Sequence, residues 1–186
     1  LEARLGVRVV LTRDDDHAVP VEGRSAAANN NKADLFVSLH ANGSFRPDVS
    51  GASVSVAAFR QADLTMDVLA PERLPVFGGG LRTIEVIPWN LAQIPHRDQS
   101  ERFARLVLES MTGTVPVSSR ALEHAPLRVL ESANMPAVLV EAGYLTNPAQ
   151  ETALAGPDLQ AAIAQALLDA IVRFRDGASP GEAAAR

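Results

Sequence analysis

Two short, largely apolar runs far apart in the chain each end in a side chain that can do chemistry. Residues 35–39 lead into His40, with Asn42 two positions later, and residues 137–140 lead into Glu141. Apolar runs of this length predict strands that are buried on both faces, which is typical of parallel sheets. This pattern constrains the fold more than any other feature of the sequence.

The same pattern places His40 and Glu141 at one edge of the predicted sheet. In open α/β sheets, ligands bind outside the carboxyl ends of the strands. The chain has four histidines and no cysteine, so any metal ion would be bound by His, Asp or Glu side chains. One imidazole and one carboxylate at two such strand ends indicate a candidate metal-hydrolase site.

The rest of the chain alternates predicted strands with predicted helices. Besides the two runs above, the strands are predicted at residues 7–11, 51–59, 83–87 and 127–130, and residues 51–59 favour a more exposed strand because small polar and apolar residues alternate there. The helices are predicted at residues 22–32 and 99–111 and from a cap at Asp158 to Phe174. This alternation predicts a three-layer α/β domain of the phosphorylase/hydrolase-like kind, with a mostly parallel, twisted sheet and helices on both faces.

Length and composition narrow the classes of protein further. A chain of 186 residues suits one domain, and a net charge of −5 argues against a nucleic-acid partner, which usually requires a basic face. The sequence has no apolar run of about 18 residues, so we expect no transmembrane segment. No signal peptide is visible, and residue 1 is a leucine. Residues 177–186 have the composition of a linker and are predicted to be a disordered tail.

Several motifs together resemble one enzyme family. They are Thr12-Arg13, Arg24 with Ala28-Asn29, Ser38-Leu39-His40-Ala41-Asn42, and residues 136–147 (Pro-Ala-Val-Leu-Val-Glu-Ala-Gly-Tyr-Leu-Thr-Asn). In this order and spacing they resemble the zinc-dependent N-acetylmuramoyl-L-alanine amidases of the type-3 family. Such enzymes cleave the amide bond between the lactyl group of N-acetylmuramic acid and the L-alanine of the peptidoglycan stem peptide.

The resemblance implies a role for three residues. His40 matches a zinc ligand, Glu141 matches the catalytic glutamate, and Asn42 lies where the family often has a polar residue beside the metal, so it is a candidate for contact with the metal or the substrate. Zinc lowers the pKa of a bound water toward about 7, and a nearby carboxylate can then move its proton. The resemblance also implies a peptidoglycan substrate and a periplasmic or cell-wall location.

The sequence also departs from the family pattern. Family members open with a strand ending in a His-Gly-Gly-like turn that supplies the first zinc histidine, and a glutamate on the next helix supplies another ligand. Glu2 lies only ten residues before Thr12, which is too close to be that glutamate. Because a catalytic zinc usually takes three protein ligands, we expect residues 1–176 to be a catalytic domain lacking its N-terminal strand and helix, and to be inactive alone.

The segment at about residues 60–97 is predicted to be a variable insert. In some cell-division amidases of the family, a helix near this position blocks the zinc until a partner protein removes it, so a protein activator is a possible partner. Residues 61–80 lack the amphipathic period that such a helix needs, which favours a loop wall of the substrate cleft. Trp89 either lines the groove for a glycan or stem peptide, or anchors a loop.

Several residues and the function itself have alternative interpretations. Arg13 and Arg24 either orient substrate carboxylates or stabilise the fold, and the remaining histidines (His17, His96 and His124) match no motif. Two other functions stay open at this point. The chain could be a wall-binding module without catalytic activity and without a complete metal site, or a related zinc carboxypeptidase with a His-x-x-Glu motif upstream.

Overall fold

The computed structural model describes residues 1–60, 63, 71–75, 81–85 and 88–177, and only the backbone of residues 71–75 and 81–85. The helices are α1 (Glu2–Leu5), α2 (Val21–Asn30), α3 (Arg97–Met111), α4 (Arg128–Glu131), α5 (Pro148–Ala155) and α6 (Pro157–Asp176). The strands are β1 (Phe36–Asn42), β2 (Ala52–Ala57), β3 (Pro71–Pro75), β4 (Leu81–Glu85), β5 (Val117–Ala125) and β6 (Ala137–Tyr144). Short 3-10 turns span Trp89–Leu91 and Ile94–His96.

Four of these strands form a mixed sheet in the order β1-β6-β2-β5. The pairs β1–β6 and β2–β5 are parallel, and the central pair β2–β6 is antiparallel. The strands β3 and β4 pair with each other in a separate antiparallel ribbon. The prediction of a mostly parallel sheet is therefore confirmed for the pairs β1–β6 and β2–β5, with one reversal at the centre.

Helices cover both faces of the sheet, which confirms the three-layer architecture. On one face α3 and α6 pack against Val54, Val138 and Val140. On the other face α2 and α4 pack against alternate residues, including Ala137 and Leu139. Because successive side chains of a strand point to opposite faces, β6 is buried on both sides, as its apolar run predicts.

Two of the predicted strands are wrong. Residues 7–11 are irregular and have no ladder partner within the described part of the chain, and Leu11 is 70% exposed. Residues 127–130 instead belong mostly to the helix α4. There Val129 and Leu130 are consecutive and both join the same apolar cluster, which alternating strand side chains cannot do.

The strand at residues 51–59 is confirmed as β2, but its predicted exposure is wrong. All six residues of β2 are buried, because β2 lies between β6 and β5 and has a helix layer on each side. The cap predicted at Asp158 is also wrong, since Gly156 caps α6 and Asp158 lies in its first turn. The predicted strand 83–87 overlaps β4, and residues 86–87 lie outside the described residues.

Parts of the predicted insert and most of the predicted tail cannot be compared with the structure. Residues 64–70 and 76–80 lie outside the described residues, and so do residues 178–186. The structure adds α1, β3, β5 and α5, which the sequence analysis missed. No helix in the described ranges is long and apolar enough to cross a membrane.

One glycine sets the spacing between β2 and β5. Gly51 precedes β2 and has a φ of 95°, a value that side-chain-bearing residues rarely adopt. A methyl group on its α-carbon would collide with the backbone of Val117 and Ser118 at the start of β5. The absence of a side chain at Gly51 therefore lets the two parallel strands begin side by side.

Candidate active site

The parallel pairing of β1 and β6 places the two predicted site residues side by side. His40 and Glu141 are register partners across this pair, and Ser53 of β2 is the register partner of Glu141 on its other side. Partners on neighbouring strands project from the same face of a sheet. The imidazole and the carboxylate therefore lie next to each other near the carboxyl ends of their strands, on the face that carries α2 and α4.

His40 is partly buried, and its ring contacts one hydroxyl group. Its Nε2 atom lies 2.9 Å from Oγ of Ser38, two residues earlier on the same face of β1. Burial lowers the pKa of His40 below its ordinary value of 6.5, and the positive charges of Arg24 and Arg13 lower it further. At neutral pH the ring is therefore uncharged and keeps a lone pair for a metal ion or a hydrogen bond.

Glu141 carries a buried oxygen that nothing in the described part of the chain satisfies. Its Oε2 atom is buried and has no hydrogen-bond partner there. Burial raises the pKa of Glu141 above its ordinary value of 4.5, and the negative charge of Glu123 raises it further. Buried polar atoms normally have partners, and perturbed carboxyl groups of this kind cluster at functional sites.

Glu123 is a residue of this site that the sequence analysis missed. It lies on β5 opposite Ser55, and Glu141 lies opposite Ser53, so both carboxylates project from one face on either side of β2. Glu123 is exposed, and its charge favours the protonated form of Glu141. No local sequence signal identifies it, because β5 was not predicted and its register depends on the tertiary fold.

Asn42 is held at the end of β1 by local contacts. The pairing of β1 with β6 is irregular between His40 and Asn42. The Asn42 Oδ1 atom accepts a hydrogen bond of 2.7 Å from the backbone N–H of Gly43, and the Asn42 backbone oxygen accepts one of 2.8 Å from Leu145. The bond from Leu145 fastens the end of β1 to the turn after β6, and the predicted role of Asn42 toward metal or substrate stays a prediction.

A cavity of about 340 Å³ lies beside His40. Thr12, Arg13 and Arg24 line it together with residues 36–41 of β1, whereas Glu141 is not among its lining residues. Arg13 donates a hydrogen bond to the backbone oxygen of His17, and Arg24 donates one to that of Val19. The two guanidinium groups therefore give the wall of this cavity a positive charge.

The described residues provide only part of a metal site. His40 supplies an imidazole in its neutral form, and Glu141, which has one unsatisfied carboxylate oxygen, is its register partner on the neighbouring strand. Within the described ranges, however, no group of three or more His, Cys, Asp or Glu side chains could hold a metal ion. Since a catalytic zinc site usually uses three protein ligands, this set alone does not complete one.

Gln150 holds the backbone on either side of the site in place, and the sequence analysis missed it as well. Its Oε1 atom accepts hydrogen bonds from the backbone N–H of Tyr144 at 3.0 Å and of Gly51 at 3.1 Å. Its own backbone N–H donates to the side chain of Asn147, which caps α5. Gln150 thus ties the end of the strand that carries Glu141 to the start of β2.

The other histidines make contacts unrelated to His40. His17 contacts Asp15, His96 contacts Asn134, and His124 lies 2.6 Å from Glu101. Trp89 lies at a separate cavity near the amino ends of β1 and β6, away from His40. None of these side chains adds a ligand to the predicted site.

The fold and the site together define an α/β protein with a partly buried carboxylate beside an imidazole at the carboxyl ends of parallel strands. A family model described as N-acetylmuramoyl-L-alanine amidase matches residues 1–173. The chain therefore belongs to this family, the type-3 amidases, as its motifs predict.

Curated relatives agree with this assignment. The chain is 30% identical to the N-acetylmuramoyl-L-alanine amidase AmiA of Salmonella typhimurium over 177 residues, which are 91% of this chain and 61% of that protein. It is 29% identical to AmiC of Neisseria meningitidis, over 94% of this chain and 43% of that protein. The chain thus spans about half of the length of these curated relatives.

Solved structures show the same fold. The amidase AmiC2 of Nostoc punctiforme matches with a TM-score of 0.68 and 26% identity, over 94% of this chain and 76% of that one. An N-acetylmuramoyl-L-alanine amidase of Clostridium difficile matches with a TM-score of 0.68 over 92% of this chain and 74% of that one, and its 22% identity supports the fold alone.

The contacts of Gln150 predict a difference between two substitutions of similar size. Gln150→Met removes the acceptor for two backbone N–H groups and should lower the free energy of unfolding by about 1–3 kcal/mol, the cost of unsatisfied donors. Gln150→Glu keeps an acceptor oxygen and should stay within about 0.5 kcal/mol of the unsubstituted protein. Urea denaturation measures both, and equal losses in the two variants would contradict this role for Gln150.

Proposed function

We propose that this chain is the catalytic part of a peptidoglycan hydrolase that cleaves the amide bond between N-acetylmuramic acid and the L-alanine of the stem peptide. The observation that carries the proposal is the register pairing of His40 with Glu141, at the strand ends where the family motifs fall. The family match favours amidase activity over the wall-binding and carboxypeptidase alternatives.

Glu141 has the properties of the general base in this reaction. Its partly buried carboxylate, with a raised pKa and an unsatisfied oxygen, can accept a proton from the attacking water more readily than an exposed glutamate can. The same group can then deliver that proton to the nitrogen of the leaving alanine. Positioned proton transfer of this kind contributes about 10²–10⁴-fold to the rate.

We propose that His40 is one ligand of a zinc ion. When bound, zinc would polarise the scissile carbonyl and acidify the attacking water. The pKa of His40 is lowered by its surroundings, which favours the neutral imidazole that metal binding requires. The hydroxyl group of Ser38 orients the ring. The other ligands are not found among the described residues, and the role of Glu141 as a base does not depend on which residues supply them.

The positive charge of the cavity beside His40 favours the binding of a negatively charged substrate. Arg13 and Arg24 line it, and their guanidinium groups favour carboxylates, such as those of a stem peptide. A peptidoglycan substrate would place the protein in the periplasm or at the cell wall. For a protein activator, the resemblance to the family is the only support.

The role of Glu141 is tested by Glu141→Gln in a complete, zinc-loaded enzyme that includes the N-terminal strand and helix of the family pattern. The amide keeps the size of the side chain but cannot accept the water proton, so kcat on purified muropeptides should fall by about 100-fold or more. Mass spectrometry of the products should show the free stem peptide with an N-terminal alanine for the unsubstituted protein. Glu151→Gln, on the exposed side of α5, is the matched control and should keep normal activity.

Either of two results would contradict this proposal. Retained turnover by zinc-loaded Glu141→Gln would remove Glu141 from the reaction. Release of a shorter peptide or of a terminal amino acid, with the muramoyl amide intact, would instead identify a carboxypeptidase.

If His40 is a zinc ligand, substituting it should weaken zinc binding. Second-shell changes at metal sites already cost about 10–100-fold in affinity, so His40→Ala should lose zinc at least as strongly, because a direct ligand is removed. Elemental analysis of the purified variant measures this loss, with His124→Ala as the control, since His124 pairs with Glu101 elsewhere on the surface. Unchanged zinc content in His40→Ala would show that His40 is not a ligand.

A further inference from the structure

A second cavity, of about 440 Å³, lies at the opposite edge of the sheet from His40 and Glu141. It is formed where β1 and β6 begin, by the end of α2 and its turn, the 3-10 turns and the loop before β6; its lining residues are Asn29, Lys32, Ala33, Asp34, Trp89, His96, Asn134, Met135 and Pro136. Its volume falls in the range typical of small-molecule sites. It shares no lining residue with the cavity beside His40.

One wall of this second cavity is fixed by the side chain of Asn29. Its Nδ2 group donates a hydrogen bond of 2.8 Å to the backbone oxygen of Ser132, and its Oδ1 atom accepts one of 2.9 Å from the backbone N–H of Asn134. A single amide on α2 therefore holds the loop that precedes β6.

The same loop is fixed from its other side by Gln93, which is 1% exposed. The Gln93 Nε2 group donates to the backbone oxygens of Ala133 at 2.7 Å and of Met135 at 2.8 Å. Its Oε1 atom accepts from Oγ of Ser100 on α3. Because the partly buried amide of Asn29 and the buried amide of Gln93 both hold the loop, the cavity is formed in advance, and a ligand would not have to order its walls.

The rim of the second cavity combines an indole with polar groups. Trp89 is 65% exposed, which is unusual for the largest apolar side chain. Next to it, His96 Nε2 lies 3.1 Å from Asn134 Oδ1, so the imidazole and the amide are held together at the rim. Lys32 and Asp34 add one charge of each sign.

We propose that this second cavity binds the glycan of peptidoglycan, through an N-acetylated amino sugar. The exposed face of the indole can stack on the C–H face of a pyranose ring. The Asn134 amide and the His96 imidazole can hydrogen-bond to hydroxyl and acetamido groups. The net charge of −5 disfavours a nucleic acid, whose phosphates need a basic surface.

This inference rests on the proposed function for its choice of sugar. A site that holds the glycan away from His40 would keep the enzyme on its polymer, because a second contact raises the effective concentration of substrate at the first. It would not be needed for small soluble muropeptides that occupy only one of the two sites.

The fluorescence of Trp89 gives a direct test, because it is the only tryptophan of the chain. Titration of the full chain with soluble N-acetylglucosamine oligosaccharides should produce a saturable blue shift of its emission, as the sugar removes water from the indole. Asn134→Ala keeps the probe and should weaken binding about fivefold or more, the loss expected for one hydrogen bond. His40→Ala, at the other edge of the sheet, should bind normally.

The outcomes separate this site from the amidase site. Absence of a saturable shift, or an equal shift with a sugar-free stem peptide, would overturn the proposal. Loss of binding in His40→Ala would also overturn it, because the sugar would then occupy the cavity beside His40. Binding that depends on Asn134 in a protein without amidase activity would keep the glycan site and reject only the proposed function.

Discussion

The parallel pairing of β1 with β6 is the contact on which the candidate site depends. It sets His40 directly opposite Glu141, although 100 residues separate them in the sequence. Because side chains alternate along a strand, a slip of one residue would turn one of these groups to the other face of the sheet. The apolar clusters prevent such a slip, since they bury Val138 and Val140 on one side of β6 and Ala137 and Leu139 on the other.

The same pairing leaves a carboxyl group in an environment that disfavours its charge. Glu141 is partly buried, has an oxygen without a partner in the described part of the chain, and faces the charge of Glu123. Such an arrangement lowers stability, and it persists because the surrounding backbone is fixed. Gln150 and Asn42 provide much of this fixation, by joining the ends of β6 and β1 to the neighbouring turns.

Sequence reasoning succeeded where burial alone decides the structure. The runs before His40 and Glu141 predicted two parallel strands, and the periodicity of residues 99–111 predicted α3, because in both cases the apolar pattern matches the core that the segment enters. It failed at residues 7–11, where a β-branched run finds no strand partner in the described part of the chain.

The parts of the site that could not be predicted depend on long-range register. Glu123 reaches the site only because β5 pairs with β2, and an exposed edge strand with mixed residues carries no clear period. The role of Gln150 arises from two backbone groups, at Tyr144 and Gly51, that lie far apart in the sequence. Neither contact has a local sequence signature, whereas the motif positions of His40 and Glu141 do.

The central claim, that the fold holds Glu141 as a perturbed carboxyl group ready to accept a proton, is tested most directly by its pKa. Carbon-13 NMR titration of the side-chain carboxyl in the metal-free protein should give a value above 4.5, and Glu123→Gln should lower it, because one of the two causes of the shift is removed. A raised carboxyl pKa means that the folded state binds the proton more tightly than the unfolded state. The contribution of Glu141 to the free energy of unfolding should therefore fall as the pH rises from 4.5 through its raised pKa. A pKa at or below 4.5 that is unchanged by Glu123→Gln would contradict the account.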